Sequence, residues 1–459
     1  MTLTGRAAIA AVAGALVVAG FGTGTALLAV NAVLLAAITA DVLLAAGVTR
    51  LSVTRSGDTK IKLGQTGRIT LTITNSGPRR LRGIVRDGWR PSAAASPGRA
   101  RIELPAGGRG KLTTTLTPQR RGDFEAGLVT IRSFGPMGLA GRQRNLAAPC
   151  AVRVLPPFLS RKHLPGKLAK LRELDGQHKS MIRGQGTEFD SLRAYVLGDD
   201  VRSIDWRSSA RRNDVLVRTW RPERDRRIVI VLDTGRTSAG RVGGGTAGML
   251  GVVGMLGVGG ERIGTGIGAW TGGIPRLDAS MDAALLLAAL ATRAGDRVDL
   301  IAADRRVRAM VVGAGRESVL AAFTSEMALL EPDLIESDIE LMIARVLGIA
   351  RQRCLVVLLT DLNPAAIEQG LLPHIELLSS RHQVLLAAVA DPKVAEMAQS
   401  RGDIGAVYDA AAAVAAQAGR ARIGALLRRH GVEIVDAPPD RLPPALADAY
   451  LTLKAAGRL

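Results

Sequence analysis

The sequence predicts an α/β protein in which a doubly wound parallel sheet follows a small antiparallel β-sandwich and an N-terminal transmembrane helical hairpin. Nearly continuous apolar runs alternate with helical stretches after Arg227, as in a parallel sheet covered on both faces. Short alternating runs fill residues 51–158, and no charged residue lies between Arg6 and Asp41. At 459 residues the chain has room for about three units of ordinary domain size.

The uncharged N-terminal region is long enough for two membrane elements. Residues 7–22 form a short apolar segment, Gly22-Thr23-Gly24 indicates a turn, and residues 25–47 form a second segment of spanning length. Basic residues flank both outer ends, at Arg6 and Arg50, so the positive-inside rule places both ends in the cytoplasm. This arrangement predicts a multi-pass protein of the cell membrane with cytoplasmic soluble domains. A cleaved signal peptide followed by a single span is the alternative.

Asp41 is the one carboxylate inside the second apolar segment. A charge at the centre of a bilayer costs roughly 2.5–3.5 kcal/mol, and less near the interface. We therefore expect Asp41 to reach toward the interface, with a helix–helix contact as the alternative.

Residues 51–158 have the pattern of short, half-buried strands. Ile69, Leu71 and Ile73 alternate with threonines, and Asn75-Ser76-Gly77-Pro78 ends the run. Nineteen basic and five acidic residues give the region a net charge of +14. An anionic cytoplasmic leaflet explains this charge more simply than nucleic acid does, because few aromatic residues are available to stack on bases.

Five apolar runs after Arg227 predict the strands of the parallel sheet, and each ends in an aspartate. The runs are IVIVLD (228–233), VDLIAAD (298–304), LVVLLTD (355–361), VLLAAVAD (384–391) and VEIVD (432–436). Ligands of open parallel sheets bind beyond the carboxyl ends of the strands, although aspartate is also a common helix N-cap. Asp233 and Asp361 differ from the others because hydroxyl residues flank them.

Changes in composition divide the chain into four parts. They are two transmembrane helices (1–50), a basic β-sandwich (51–158), a basic linker with a charged segment (159–227), and an α/β domain (228–459) with a Gly-rich insertion at 240–273.

Three motifs resemble those of known protein families. DTGRTS, which begins at Asp233, is similar to a degraded Asp-x-Ser-x-Ser loop of von Willebrand factor A domains. GTEFDSLRAYVLGDDVRSIDWRSSARR, which begins at Gly186, closely resembles the signature of the bacterial domain of unknown function 58 family, and RRGDFEAGLVTIRSFGPMGLAGR (120–142) resembles the end of its sandwich. The resemblance implies a membrane-anchored, von Willebrand A-like protein that works with a MoxR-type AAA+ ATPase in assembly or chaperone-like work.

The same resemblance implies a degraded metal site made by Asp233, Thr237 and Asp361. Gly235 stands where the loop usually has a serine, so one oxygen ligand is missing and Mg²⁺ is expected to bind weakly or not at all. A Gly235→Ser substitution is expected to restore that ligand.

The charged segment before the first predicted strand contains candidate interaction residues. They are Glu188, Asp199, Asp200, Arg202, Asp205, Trp206, Arg207 and Arg211. Arginine–carboxylate pairs are directional, so a structural clamp is the leading hypothesis. A partner-binding patch is the alternative, since tryptophan and arginine are enriched at hot spots.

The sequence gives little support for catalysis. HExxH, nucleophile-elbow and P-loop motifs are absent, the five histidines are scattered, and Cys150 and Cys354 lie far apart. We therefore expect an interaction protein of the membrane with lipid contacts, rather than an enzyme. A membrane-associated nucleic-acid-binding protein is the alternative, and the sequence specifies no oligomeric state.

Overall fold

The computed structural model describes residues 2–178, 188–196, 199–212, 214–221, 226–243 and 273–459. The chain divides into two compact units, Met1–Leu155 and Pro156–Leu459. The N-terminal helices and the β-sandwich therefore belong to one unit, and the predicted linker belongs to the second.

The first unit contains two apolar helices, α1 (Gly5–Phe21) and α2 (Gly24–Leu44). Gly22 ends α1 at a φ of 62°, a left-handed conformation that glycine adopts without strain. Within the described part of the chain, one stretch, Gly24–Arg50, is long and apolar enough to cross a membrane. Both predicted apolar elements are thus helices, and the second has the length of a span.

Short strands form the rest of the first unit. They are β1 (Thr2–Leu3), β2 (Leu51–Gly57), β3 (Lys60–Lys62), β4 (Gly67–Asn75), β5 (Leu81–Arg86), β6 (Ala100–Leu104), β7 (Arg109–Leu116), β8 (Gly122–Glu125), β9 (Val129–Phe134), β10 (Ala140–Leu146) and β11 (Ala151–Leu155). Their sheets have the orders β1-β10-β9-β5-β6, β2-β4-β7 and β3-β11-β8. Ile69, Leu71 and Ile73 are fully buried, which confirms the predicted alternation in β4. The expectation of purely antiparallel pairing is wrong for β3 and β11, which run parallel; the long stretch of chain between them provides the crossover connection that parallel pairing needs.

Asp41 joins the end of α2 to the sandwich. Its side chain is fully buried, and its carboxylate accepts hydrogen bonds from the backbone N–H groups of Met137 (2.8 Å), Leu139 (2.7 Å) and Ala140 (2.8 Å). The expectation that Asp41 reaches toward the membrane interface is therefore wrong. Three N–H donors on a loop of the sandwich supply the partners that lipid lacks.

The second unit contains the remaining strands and helices. The strands are β12 (Glu188–Ala194), β13 (Leu216–Arg221), β14 (Arg227–Asp233), β15 (Arg241–Val242), β16 (Ile274–Pro275), β17 (Arg297–Ala303), β18 (Val307–Val311), β19 (Leu355–Leu359), β20 (Gln383–Val389) and β21 (Glu433–Ala437). The helices are α3 (Leu164–His178), α4 (Trp206–Arg212), α5 (Arg276–Arg293), α6 (Val319–Met327), α7 (Ile339–Ile349), α8 (Pro364–Ala366), α9 (Leu372–Ser379), α10 (Pro392–Gln399), α11 (Ile404–Arg429) and α12 (Leu442–Ala455).

A six-stranded sheet with the order β18-β17-β14-β19-β20-β21 forms the centre of this unit. All its pairings are parallel except that of β18 with β17. Ile228, Ile230 and Leu232 of β14 enter one apolar core, and Val229 and Val231 enter another. Burial on both faces explains the continuous apolar runs, and the five predicted strands are present.

The predicted basic linker is a helix. Residues Leu164–His178 form α3, in which Leu171 is buried in the core that also contains α5. Lys167 pairs with Asp448 of α12 at 2.6 Å. The many charged residues of this stretch suggested a linker. Its leucines nevertheless recur at intervals of three and four residues, and a narrow apolar face of this kind is enough to dock a helix.

The predicted Gly-rich insertion is described only at its two ends. Arg241–Val242 pairs with Ile274–Pro275 in a two-stranded antiparallel ladder. Residues 244–272, which include the run GMLGVVGMLGVGG, lie outside the described residues. The ladder therefore brings the two ends of the insertion together.

Candidate functional site

The candidate site lies at the carboxyl edge of the six-stranded sheet. Asp233 ends β14, and Thr360 follows β19 directly. The two strands are parallel neighbours, with Leu232 opposite Leu359. Parallel pairing therefore places the Asp233 carboxylate beside the loop that begins at Thr360, as expected for a ligand site in an open sheet.

The buried carboxylate of Asp233 accepts hydrogen bonds from three hydroxyl groups on three different loops. Oδ2 accepts from Thr237 Oγ1 at 2.8 Å and from Thr360 Oγ1 at 2.6 Å. Oδ1 accepts from Ser337 Oγ at 2.5 Å and from the backbone N–H of Gly235 at 2.9 Å. Four donors therefore satisfy the hydrogen-bonding capacity of this buried carboxylate.

The second predicted carboxylate, Asp361, is bound by two arginines. Arg276 Nη1 lies 2.7 Å from Oδ2, and Arg420 Nη1 lies 2.6 Å from Oδ1. Arg420 also pairs with Asp436 at 2.7 Å. Burial alone would lower the pKa of Arg420, but its hydrogen bond to Asp436 and the charge of Asp361 raise that pKa above its ordinary value. Both oxygens of Asp361 are thus held by positive charges.

These contacts decide how well the predicted magnesium site fits. Asp233 and Thr237 are brought together as predicted. The hydroxyl oxygens of Ser337 and Thr360 lie beside them and are also suitable ligands for a hard cation such as Mg²⁺. Asp361 does not join this set, because Arg276 and Arg420 occupy both of its oxygens. Among the described residues no cluster of three or more histidine, cysteine or acidic side chains could hold a metal ion. A hard cation at this site would therefore have one carboxylate, Asp233, and otherwise only hydroxyl oxygens as protein ligands.

Gly235 has a different role from the one that the sequence predicts. A Cβ atom at this position would lie 2.1 Å from Ser337 Oγ and 2.8 Å from the carbonyl oxygen of Ile335. Ser337 therefore occupies the space of a side chain at position 235 and supplies the hydroxyl that the loop lacks. The expectation that Gly235→Ser restores a ligand is wrong on steric grounds. Ser337 could not be found from sequence, because it lies in an irregular loop about a hundred residues away.

An apolar cavity of about 210 Å³ adjoins Asp233. Val231, Met342, Ile343 and Leu358 line its wall, and Asp233, Thr237, Ser337 and Thr360 form its polar end. The π-helical turn Ile367–Leu371 contributes another side, and such turns are frequent at functional sites. The cavity can receive an apolar group beside a carboxylate that is surrounded by hydroxyl groups.

The charged segment forms its own small substructure. Strands β12 and β13 pair antiparallel, with Glu188 opposite Arg221, although the Glu188 side chain lies outside the described residues. Arg193 pairs with Asp199 at 2.5 Å. Asp200 caps a short 3-10 turn by accepting from the N–H of Arg202.

Asp205 connects helix α4 to strand β13. Its carboxylate accepts from the Ser208 N–H at 2.9 Å and from Arg218 Nε at 2.8 Å. The Ser208 hydrogen bond and the Arg218 guanidinium hold the pKa of Asp205 below its ordinary value. The described ion pairs therefore join parts of the segment to each other, and Arg218 is a partner that sequence reasoning missed.

The remaining candidates of the segment are exposed. Trp206 is 67% exposed, and Arg207 and Arg211 lie with it on α4. Arg202, Arg207 and Arg211 form no ion pair among the residues that the structure describes. Asp205 thus fixes a short helix that presents one tryptophan and two arginines to solvent.

The fold and site together define a mixed α/β protein with an apolar N-terminal helix of membrane-spanning length. The chain belongs to the family described as Protein of unknown function DUF58, which it matches over residues 191–244 and 273–432. The match is interrupted within the predicted Gly-rich insertion.

Comparison with other proteins adds little beyond the family. No curated protein matches the sequence. The CARDB domain of the PF1109 protein from Pyrococcus furiosus is 16% identical over 23% of this chain and 87% of that chain, with a TM-score of 0.18. The β-glucosidase from Listeria innocua is 13% identical over 23% of this chain and 16% of that chain, with a TM-score of 0.15. Likenesses this weak carry no argument about function.

Proposed function

We propose that this chain is a membrane-anchored interaction protein that presents a von Willebrand A-like domain to cytoplasmic partners, with a MoxR-type AAA+ ATPase in assembly or chaperone-like work. One observation supports it most. Hydroxyl donors from three loops converge on the buried Asp233 carboxylate, next to a cavity open to an apolar group. The order of the six strands, with one antiparallel strand at the edge, is compatible with the same domain type.

The chemistry at this edge suits binding better than catalysis. Asp233 already accepts four hydrogen bonds, so it lacks a free lone pair aimed at a substrate proton. Burial raises the pKa of the Cys354 thiol to about 12, which leaves this group protonated and poorly nucleophilic at neutral pH. A cation could bind Asp233 only if the hydroxyls of Thr237, Ser337 and Thr360 turned their hydrogens away from the carboxylate, which agrees with the expected weak binding of Mg²⁺.

The membrane part of the proposal is a helical hairpin with both outer ends in the cytoplasm. Two contacts support it. Strand β1 pairs with β10, and Asp41 near the end of α2 accepts from the N–H of Ala140, the first residue of β10. The start of α1 and the end of α2 therefore meet the same sheet edge, so that the Gly22 turn lies at the opposite end of the helices.

Cysteine labelling in intact cells tests this topology. In a Cys150→Ser background, Thr25→Cys is expected to react with a membrane-impermeant maleimide added outside, because Thr25 is exposed beside the turn. Thr59→Cys is expected to stay unlabelled until the cells are lysed. External labelling of Thr59→Cys would refute the hairpin.

Co-purification tests the partner. The full chain in detergent is expected to retain the MoxR-type ATPase of the same cell after nuclease treatment. Trp206→Ala and Asp233→Asn are expected to weaken retention, by about tenfold or more if each is a hot spot. Tyr408→Ala is the matched control, because Tyr408 is a 74% exposed aromatic residue elsewhere on the same unit. Retention that depends on neither Trp206 nor Asp233 would argue against this proposal.

A further inference from the structure

The outer face of the sheet β1-β10-β9-β5-β6 contains an open concavity of about 170 Å³. Ladder pairing brings its residues together, since Arg132 is opposite Gln143, and Thr130 is opposite both Asn145 and Arg86. The lining residues are Ile84, Arg86, Arg99, Thr130, Arg132, Gln143 and Asn145. Three arginines therefore line one small depression.

The side-chain amide oxygens of Gln143 and Asn145 already accept hydrogen bonds from other residues of this concavity. Gln143 Oε1 accepts from Arg132 Nε at 2.7 Å, and Asn145 Oδ1 accepts from Thr130 Oγ1 at 3.0 Å. Each amide then has its NH₂ group left to donate. The groups that remain for a ligand are three guanidiniums and two amide NH₂ groups, so the depression is specialised for a ligand that accepts hydrogen bonds.

In the part of the chain that the structure describes, no acidic residue lines the concavity. Glu103, on the neighbouring strand β6, is bound to Arg80 at 3.1 Å and to Arg82 at 2.6 Å. Among the described residues, Arg86, Arg99 and Arg132 form no ion pair. The surrounding region, residues 51–158, has nineteen basic and five acidic residues. The positive charge of the depression is therefore uncompensated.

We propose that this concavity is a binding site for an oxyanion, namely a phosphate group. Guanidiniums present planar, paired N–H donors that match phosphate oxygens, and the amide groups add neutral donors around the same point. The site stands independently of the function proposed for the Asp233 cluster.

Two sources can supply such a group, the headgroup of an anionic lipid and a free phosphate compound. Gln143 and Asn145 lie three and five residues along β10 from Ala140, whose N–H binds Asp41 at the end of α2. At about 3.4 Å per residue these positions are roughly 10 and 17 Å along the strand. The polar layer of a bilayer is about 5–8 Å deep on each side, so the lipid source requires that the strand run partly along the membrane.

The test uses the full chain in nanodiscs and follows thermal unfolding. In zwitterionic nanodiscs, inorganic phosphate is expected to stabilise the protein saturably, relative to chloride at equal ionic strength. In a second arm, anionic phosphatidylglycerol replaces part of the zwitterionic lipid and phosphate is omitted. Stabilisation in the first arm identifies a free phosphate source, and stabilisation in the second identifies a headgroup. Failure of both arms overturns the proposal.

Variants separate a built site from general positive charge. Arg86→Gln with Arg132→Gln is expected to weaken the apparent affinity by about tenfold or more, because paired donors are lost. Arg109→Gln with Lys111→Gln removes the same charge from exposed positions of another sheet and is expected to leave the affinity within about twofold. Equal losses in both double variants would overturn the site.

A second, more conservative double variant keeps the test informative if the first double variant does not fold. Arg86→Lys with Arg132→Lys keeps the charge but loses the planar donor pairs, so an intermediate affinity is expected. Full retention of affinity by the lysine pair would contradict guanidinium recognition. Melting in chloride alone confirms that each variant is folded.

Discussion

Replacing Gly235 with serine tests how the Asp233 site is built. The new Cβ would lie 2.1 Å from Ser337 Oγ and 2.8 Å from the Ile335 carbonyl oxygen. Neither distance is tolerable, and the second involves backbone that a side-chain rotation cannot clear. Crowding of this kind typically costs about 1–3 kcal/mol. For a domain of 150–250 residues, this corresponds to a decrease in Tm of roughly 2–12 °C.

Calorimetry of the full chain with a second substitution isolates the cause. Ser337→Gly removes one of the two clashing atoms, so Gly235→Ser is expected to cost less in that background, by about 1 kcal/mol or more. The stability lost through Gly235→Ser should be recovered only in part, because the clash with the Ile335 carbonyl oxygen remains. Gly98→Ser is the matched control, since a Cβ there meets no atom within 4 Å. Its Tm is expected to stay close to that of the wild type.

Two results would refute this reasoning. One is a Gly235→Ser variant that melts like the wild type. The other is a variant in which Mg²⁺ stabilises the protein more strongly than it does the wild type, because position 235 would then be a real ligand position. In the wild type, a site with millimolar affinity should shift Tm only slightly at about 1 mM Mg²⁺.

Three further predictions concern single carboxylates. Burial raises the pKa of Asp282 to about 6 from an ordinary value of 3.8, so the native state binds this proton more tightly, and stability is lost as pH rises from about 4 to about 6. The loss is about 3 kcal/mol, and Asp282→Asn should flatten that part of a Tm–pH curve; an unchanged slope would contradict this assignment. Asp205→Ala should lower Tm slightly by uncapping α4, whereas loss of partner retention without a change in Tm would favour the patch over the clamp. Asp41→Ala should leave the N–H groups of Met137, Leu139 and Ala140 without their acceptor. The cost is about 1–3 kcal/mol for the buried Ala140 N–H and less for the other two. Faster amide exchange at Met137 and Leu139 would show the loss, and protection equal to that of the wild type would exclude the contact.

The architecture of the α/β unit was predictable because burial on both faces leaves a direct trace in the sequence. Residues 228–232 and 355–359 are apolar throughout, and only a strand that is covered on both faces requires such a run. Helix α3 could not be predicted because its few leucines are dispersed among charged residues of both signs. Charge indicates what faces water, whereas a docked helix needs only one narrow apolar face.

The site was predictable only in part, since its contacts depend on distance in space. Asp233 and Thr237 are four residues apart and share one loop, so a motif could identify them. Ser337 comes from an irregular loop, and Arg276 and Arg420 reach Asp361 across 85 and 59 residues. No periodicity links such positions. Arginine partners reverse the expected role of Asp361, from metal ligand to acceptor of two guanidiniums.

The three hydrogen bonds from the 137–140 loop to Asp41 have a mechanical consequence. Many membrane anchors end in a flexible tether, but in the membrane-anchored protein that we propose a buried carboxylate fastens the last turns of α2 to a β-sheet. The helices and the sandwich should therefore tilt as one rigid lever. Helix tilt responds to the thickness of the surrounding bilayer. The orientation of the sandwich would then vary with lipid composition, even where no lipid touches the sandwich itself.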